Sequence, residues 1–302
     1  MDSNHAGPEK QTQQKVNSMS LANKALLVKL SVGLPGNTRT DVKITSDTIS
    51  AHGMAANSGR WLKQLYPDEA IKPLTVLQGE IRTYHYEHTL PWSDEGYRIL
   101  PTAHHAEYTD KMRQFRAKFE AVRDNFCSRL EDWIDWARIA HNGTFDGSIY
   151  PTSPEALARK FNLSLDFSPV PSGDDFRCCI DQSELDIMAQ QVNQRVSEAT
   201  EAARSDLWQR LVQPLRNMVA RLSDPDAIFR DSLIGNLRDI AALIPDLNVT
   251  SDPALSAFAS EVASSLAQLK PETLRSSKVD RAETARKASE ILKRMVGYLP
   301  VN

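Results

Sequence analysis

The sequence predicts an α+β protein in which helices predominate, and three observations support this fold class. Apolar residues recur at the helical spacing of about 3.6 residues over long stretches, most clearly over 109–138 and 181–222. Short apolar or alternating runs at 25–33 and 163–167 are typical of strands. We therefore expect a small N-terminal strand element and a central β-hairpin packed on long helices. Closely spaced helical patterns in the last third predict a C-terminal helical bundle.

The composition is that of a soluble globular protein and excludes several classes. The chain has 302 residues, of which 41% are hydrophobic and 25% charged, and it lacks the run of about 18 apolar residues that spans a bilayer. Its formal net charge of −3 argues against a protein held to nucleic acid by bulk positive charge. Three cysteines cannot form a paired disulfide framework, which predicts a reducing compartment. The lack of a long apolar run predicts no membrane partner.

The N-terminal part predicts a polar tail followed by a small α+β domain. Residues 1–20 are polar and aperiodic, so we expect a disordered tail. The run 25–33 ends at a Gly/Pro turn, and the alternation over 41–45 predicts a strand that pairs with it as a hairpin. Residues 46–66 and 68–90 predict helices, the second ending before Pro91.

The rest of the N-terminal part predicts a loop and a long helix. Residues 91–105 contain two prolines and a glycine, which indicates a loop with a short hairpin through Tyr97–Leu100. The amphipathic pattern over 109–138 predicts one helix. We place this N-terminal domain at residues 21–150.

The central and C-terminal parts begin at Ser153, which is suited to cap a helix that starts at Pro154. The strand at 163–167 has a predicted hairpin partner in Phe176–Ile180. The helix at 181–222 should kink or break at Pro214. We assign the hairpin and long helix to 151–222 and the C-terminal helical region to 223–302.

Four of the seven histidines lie within 21 residues and are the main candidate for chemistry. They are His85, His88, His104 and His105. Histidines three apart share one face of a helix, a spacing that allows metal ligation. The segment lacks the HExxH pattern of zinc proteases. The alternative is that these side chains form hydrogen bonds that hold the 91–105 loop, and the sequence leaves both interpretations open.

A second candidate is the basic face of the helix at 109–138. It carries Lys111, Arg113, Arg116, Lys118 and Arg123. Basic residues interleaved with phenylalanines suit single-stranded nucleic acid, because phosphates meet the charges and bases stack on the rings. The phenylalanines, however, fall on the apolar stripe, which equally predicts a core stripe beside a solvated charged face.

Other signatures of chemistry are lacking in the sequence. There is no phosphate-binding P-loop and no G-x-S-x-G nucleophile elbow. Cys127 and the adjacent Cys178 and Cys179 show no metal or nucleophile spacing, so buried thiols are expected. We therefore predict no cofactor and no catalytic residue, and the sequence favours a protein that is not an enzyme.

Three stretches resemble a known family. They are Arg82–Trp92, Phe167–Pro171 with the following Asp175–Arg177, and Leu222–Leu233. Together with the opening strand they resemble a family of uncharacterised bacteriophage and mobile-element proteins, over residues 25–297. Genes of this family often lie near those of a MoxR-like AAA+ ATPase and a protein with a von Willebrand A (VWA) domain. The resemblance implies a protein of the host cell cytoplasm that acts as an adaptor or client of such a pair.

Three functional hypotheses follow. The first is a non-enzymatic interaction protein that self-associates or assembles with the AAA+ ATPase and VWA-domain protein through its long helices. The second is a single-stranded nucleic-acid-binding protein of phage DNA metabolism that uses the basic face. The third is a metal-dependent enzyme built on the four clustered histidines.

Overall fold

A computed structural model describes residues 21–92, 96–175 and 181–298, and it confirms a predominantly helical α+β fold. The chain divides into two compact units. The first takes the described residues of Met1–Lys29, Tyr86–Tyr108 and Asp166–Asn302, and the second takes Leu30–His85 and Thr109–Leu165. Both units therefore combine separate stretches of chain, whereas the domain prediction followed chain order.

The main sheet has four strands in the order β4-β5-β1-β6. These are β1 (Ala25–Gly33), β4 (Leu90–Pro91), β5 (Tyr97–Pro101) and β6 (Asn162–Pro169). Strand β5 pairs antiparallel with both β1 and β4, with Leu27 opposite Ile99. The strands at 25–33 and 163–167 are thus where the sequence predicts them. The proposed partner of the second, Phe176–Ile180, lies outside the described residues.

The predicted hairpin strand over 41–45 is wrong, because these residues begin helix α1 (Val42–Ala51). The carboxylate of Asp41 accepts a hydrogen bond from the backbone N–H of Ile44, 3.0 Å away, and so caps the helix. The Thr45 hydroxyl donates to the Asp41 carbonyl at 2.6 Å. Capping chemistry therefore overrides the alternating pattern. A separate two-stranded sheet joins β2 (Thr38–Thr40) to β3 (Leu62–Gln64).

The helix predicted over 109–138 is two helices, and helix α2 (Asp68–Glu87) precedes them. Helix α3 covers His105–Ser128 and helix α4 covers Leu130–His141. The indole N–H of Trp133 donates to the Phe126 carbonyl at 2.9 Å across the junction. The junction thus keeps both aromatic rings buried. The short helix α5 (Pro154–Ala158) follows, and the Ser153 hydroxyl caps it as predicted.

The core of the first unit is built on helix α6 (Gln182–Ser223), which continues through Pro214 without interruption. Four more helices follow: α7 (Ser232–Leu247), α8 (Pro253–Ser265), α9 (Pro271–Ser276) and α10 (Lys278–Val296). Helix α6 packs against α7 and α10 through buried leucines such as Leu207, Leu211 and Leu215. Across the described residues, none of the helices has the length and apolar character that crossing a membrane requires.

The second unit has an aromatic core, in which Tyr66 packs edge-on against Phe126 and Tyr150. Burial raises the pKa of Tyr66 and of Tyr150 to about 12. Cys127 is buried beside this cluster, and burial raises its pKa to about 11. Its thiol therefore stays protonated and unreactive at neutral pH, as the sequence predicts for Cys127.

Candidate metal centre

Two arginines of the first unit fix the turn that ends helix α2. The last carbonyls of a helix have no partner within the helix, so they need donors from elsewhere. Arg210 donates to the carbonyls of Glu87 at 2.6 Å, Tyr86 at 3.0 Å and Thr89 at 2.9 Å. Arg98 donates to the Thr89 hydroxyl at 2.7 Å and to its carbonyl at 3.0 Å. The backbone of residues 86–89 is therefore held in one conformation.

Both guanidinium groups carry further electrostatic interactions. Arg210 also forms an ion pair with Asp206, 2.8 Å away on the same helix. Burial, followed by the nearby positive charge of Arg210, lowers the pKa of Arg98 from its ordinary value. The main contacts of both arginines are thus made to the fold itself.

The fixed turn presents His88 to His104. The Nδ1 atom of His88 lies 2.6 Å from the Nε2 atom of His104. The two ring planes are 17° apart and their centroids are 4.8 Å apart, so the rings meet edge to edge in nearly one plane. This geometry is that of a direct hydrogen bond between ring nitrogens, in which one nitrogen donates and the other accepts.

The other ring nitrogen of His104, Nδ1, lies in an unusual environment for a buried polar atom. His104 ends the short helical turn Thr102–His104, and its side chain is fully buried. Its Nδ1 atom lies 3.6 Å from a carboxylate oxygen of Glu107 and 3.9 Å from one of Asp246, and it has no hydrogen-bond partner among the described residues. Buried polar atoms nearly always have a partner, so this nitrogen requires an explanation.

The three groups have the separations of ligands around one metal ion. The Nδ1 atom of His104 and the carboxylate oxygens of Glu107 and Asp246 all lie within 4.8 Å of one another. With metal–ligand bonds of about 2.1 Å, two neighbouring ligands lie about 3.0–3.6 Å apart. The two distances from Nδ1, 3.6 and 3.9 Å, are too long for direct hydrogen bonds and lie at this range or a few tenths of an ångström above it. The two carboxylate oxygens lie within 4.8 Å of each other, and both side chains are exposed, so rotation of these side chains can bring the oxygens closer around an ion.

The hydrogen bond to His88 suits this role. If the Nε2–H of His104 donates to His88, the Nδ1 atom carries a bare lone pair that points between two carboxylates. Three acceptors then converge without a donor, an arrangement that a cation satisfies. Histidine ligands of metals usually donate their other ring N–H to a neighbouring acceptor, and His88 is in that position.

A cleft of about 930 Å³ opens above this group. Its walls come from helix α6, through Gln213 and Asn217, and from helix α7, through Asp239 and Asp246. His88 and Glu107 complete the end where His104 lies. An ion on His104 would therefore face a cavity large enough for a small ligand.

Two of the four predicted histidines, His88 and His104, come together at this site. His85 is buried on helix α2, and the ring of His105 lies 5.9 Å from that of Phe167. Glu107 and Asp246 were not predicted. Glu107 follows His104 by three residues, and in the sequence this spacing indicates only that the two residues share one face of a helix. Asp246 lies far along the chain, and the sequence contains no signal that it joins this site.

The predicted basic face lies in the second unit, and much of its charge is paired. Arg113 pairs with Asp110, Lys118 with Glu80 at 2.8 Å, and Arg123 with Asp124 at 2.8 Å. Lys111 lies 5.2 Å from the centre of the Phe115 ring, and Arg116 is exposed. Phe119 and Phe126 are buried, so their faces are not available to stack on bases.

Comparison with known proteins does not assign this site. The chain matches no protein-family model, no curated protein and no solved structure. Its interpretation therefore depends on the geometry of the first unit.

Proposed function

We propose that this chain is a metal-dependent protein that holds a divalent transition-metal ion on His104, Glu107 and Asp246. One observation carries the proposal: a buried imidazole nitrogen without a hydrogen-bond partner faces two carboxylates 3.6 and 3.9 Å away. This is the third hypothesis from the sequence, with a different ligand set. His88 becomes the outer partner of a ligand, and two carboxylates replace the other histidines.

The ligand set favours zinc, manganese or iron. An imidazole nitrogen suits these ions, whereas magnesium and calcium prefer sites made of oxygen alone. Three protein ligands leave at least one coordination position open, as in catalytic zinc sites. Glu107 and Asp246 line the cleft, so we place the open position on that side.

An ion in this position would act as a Lewis acid on a ligand in the cleft. It would polarise a bound oxygen or lower the pKa of a bound water. The residues of this chain would supply orientation: Arg98 and Arg210 hold the 86–89 turn, and His88 keeps the Nδ1 lone pair of His104 directed at the ion.

Isothermal titration of the full-length, chelator-treated protein with Zn²⁺ and Mn²⁺ tests this proposal. We expect one site per chain for at least one of the ions. His104→Leu removes the ligating nitrogen with little change in volume and should abolish that site. His52→Leu is the matched control, because His52 is an exposed histidine at the end of helix α1 and should leave binding unchanged.

The proposal fails if neither ion binds with this stoichiometry. It fails equally if His104→Leu and His52→Leu bind the ion as the wild type does, since the ion would then occupy another place.

Assembly through helix α6 is a second candidate, and one observation favours it. The first 14 residues of this helix contain no buried side chain, and Ile187 is 56% exposed among the half-buried Leu185 and Met188. The resemblance to the phage family supports the same candidate. Light scattering should then show an oligomer that Ile187→Glu converts to a monomer, while Gln190→Glu, on the same exposed segment, should not. A monomeric wild type would exclude self-association.

A further inference from the structure

The charged side chains that line the cleft above His104 are mostly negative. Four carboxylates line it: Glu87, Glu107, Asp239 and Asp246. The lining includes one guanidinium, that of Arg210, whose charge is paired with Asp206 and whose two terminal nitrogens donate to the backbone of the 86–89 turn. A divalent ion would balance two of the carboxylates and leave Glu87 and Asp239 without counter-charge.

The cleft also offers surfaces that suit the non-ionic part of a ligand. Leu233, Ile240 and Leu243 of helix α7 are half-buried in its wall. On the facing helix α6, the amide of Gln213 donates to that of Asn217 at 3.2 Å, which leaves further amide atoms of both residues facing the cleft. A ligand with a short apolar chain and a polar end would match these walls.

The rim adds an aromatic ring. Tyr86 is 56% exposed and lines the cleft, and the guanidinium of Arg98 lies 4.7 Å from its ring centre. The face of an aromatic ring attracts cations, and this ring already holds one. The preference of the cleft for positive charge therefore rests on its carboxylates and not on this ring.

We infer that the cleft binds a cationic organic ligand, an amine or guanidinium on a short apolar chain, and not a phosphate or carboxylate. The inference rests on the proposed function, because the buried nitrogen of His104 is the observation that marks this cleft as a ligand site. The ligand's cationic group would lie near Glu87 and Asp239. Its other end would reach the ion held by His104.

Three probes of equal chain length test the charge preference: 1,6-diaminohexane, 1,6-hexanediol and adipate. Each is titrated by calorimetry into the full-length protein, with and without saturating Zn²⁺. In the Zn²⁺-free protein, where no open coordination position can ligate a carboxylate, we expect 1,6-diaminohexane to bind at least tenfold more tightly than 1,6-hexanediol, and adipate not to bind. Binding should weaken as salt is raised, because both partners carry exposed charge.

A pair of variants locates the binding. Asp239→Asn removes a cleft carboxylate outside the metal ligands and should weaken 1,6-diaminohexane about threefold, the size typical of an exposed ion pair. Glu290→Gln is the control, since that carboxylate lies on helix α10, is exposed and does not line this cleft. It should leave the affinity unchanged.

The inference is overturned if adipate binds as tightly as 1,6-diaminohexane, or if Asp239→Asn and Glu290→Gln have equal effects. Zn²⁺ titrations of the same samples separate the two proposals. Normal Zn²⁺ binding without a preference for the diamine contradicts only the ligand class. If the wild type does not bind Zn²⁺, the proposed metal site is contradicted, regardless of the affinities of the three probes.

Discussion

Two clusters of buried polar groups in the first unit are satisfied differently. The buried Arg281 of helix α10 donates to the carbonyls of Arg221 at 2.7 Å and Ala227 at 2.7 Å, and also to those of Leu222 and Asp224, and so holds the start of the segment Leu222–Leu233. Arg82–Trp92 instead contributes His88, whose partner His104 keeps a nitrogen without a hydrogen bond. The first cluster is closed within the fold, and the second is open.

This difference distinguishes polar groups that stabilise the fold from polar groups that are available to a ligand. A closed cluster stabilises the chain, because each buried donor and acceptor recovers in the fold what it loses in water. An open cluster costs free energy of folding unless a ligand completes it. We therefore interpret Leu222–Leu233 as a structural motif and the His88–His104 pair as part of a binding site.

Opening the closed cluster should have the largest effect. Arg281→Met leaves one buried and three partly buried carbonyls without their donor, and we expect it to lower the free energy of unfolding by about 3 kcal/mol. Urea denaturation measures the loss. Arg286→Met on the same helix removes only an exposed pair with Glu290 and should cost less than about 0.5 kcal/mol. Equal losses would contradict the distinction.

Removing the carboxylates of the open cluster should weaken Zn²⁺ binding and leave the stability of the fold unchanged. Glu107→Gln combined with Asp246→Asn should weaken Zn²⁺ binding at least tenfold, since two of three ligands lose their charge. The side chains are 68% and 51% exposed, so the Zn²⁺-free variant should unfold at the same or a slightly higher urea concentration. A large loss of stability without Zn²⁺ would mean that the carboxylates serve the fold.

Changing the outer partner should have a smaller effect on the ion. His88→Leu removes the acceptor for His104 and should weaken Zn²⁺ binding about tenfold, the lower end for such partners. His88→Asn places an amide oxygen near the position of Nδ1 and should restore most of the affinity. If both variants bind Zn²⁺ as the wild type does, His88 does not position the ligand.

An ion pair in the second unit, whose groups are satisfied within the fold, should show the smallest of these effects. Lys63 lies 2.7 Å from Asp41 and donates to the Thr144 carbonyl at 2.5 Å. The hydrogen bond from Lys63, followed by that from the Ile44 backbone, lowers the pKa of Asp41 below its ordinary value. Because the folded state binds this proton less readily, the pair stabilises the protein above the ordinary carboxyl pKa of about 4.

That stability should be lost as the pH falls through the lowered pKa of Asp41. Urea midpoints measured between pH 5 and pH 2 should fall less steeply for Asp41→Asn than for the wild type. Parallel curves would show that the pair does not contribute to acid sensitivity.

Periodic patterns predicted most of the fold, and local chemistry explains where they did not. The spacing of apolar residues located helix α6 to within one residue at each end, and the apolar run located β1. The alternation at 41–45 misled because Asp41 caps a helix, a preference that competes with the strand pattern. The sequence does not indicate the break at Arg129, because the apolar stripe continues across it.

The candidate site was only half visible in the sequence. Residue type and proximity selected His88 and His104, since both lie in one short segment. Asp246 reaches the site through the packing of helix α7, and a single sequence contains no record of such a contact. The orientation of His104 likewise depends on the turn that Arg98 and Arg210 hold, which only the folded chain shows.

The central claim is that an ion lies between His104, Glu107 and Asp246. Crystals of the protein grown with Zn²⁺ and measured at the zinc absorption edge test it most directly. We expect an anomalous peak about 2.0–2.2 Å from the Nδ1 atom of His104 and from one oxygen of each carboxylate. A map with zinc peaks only elsewhere, or with none, would contradict it.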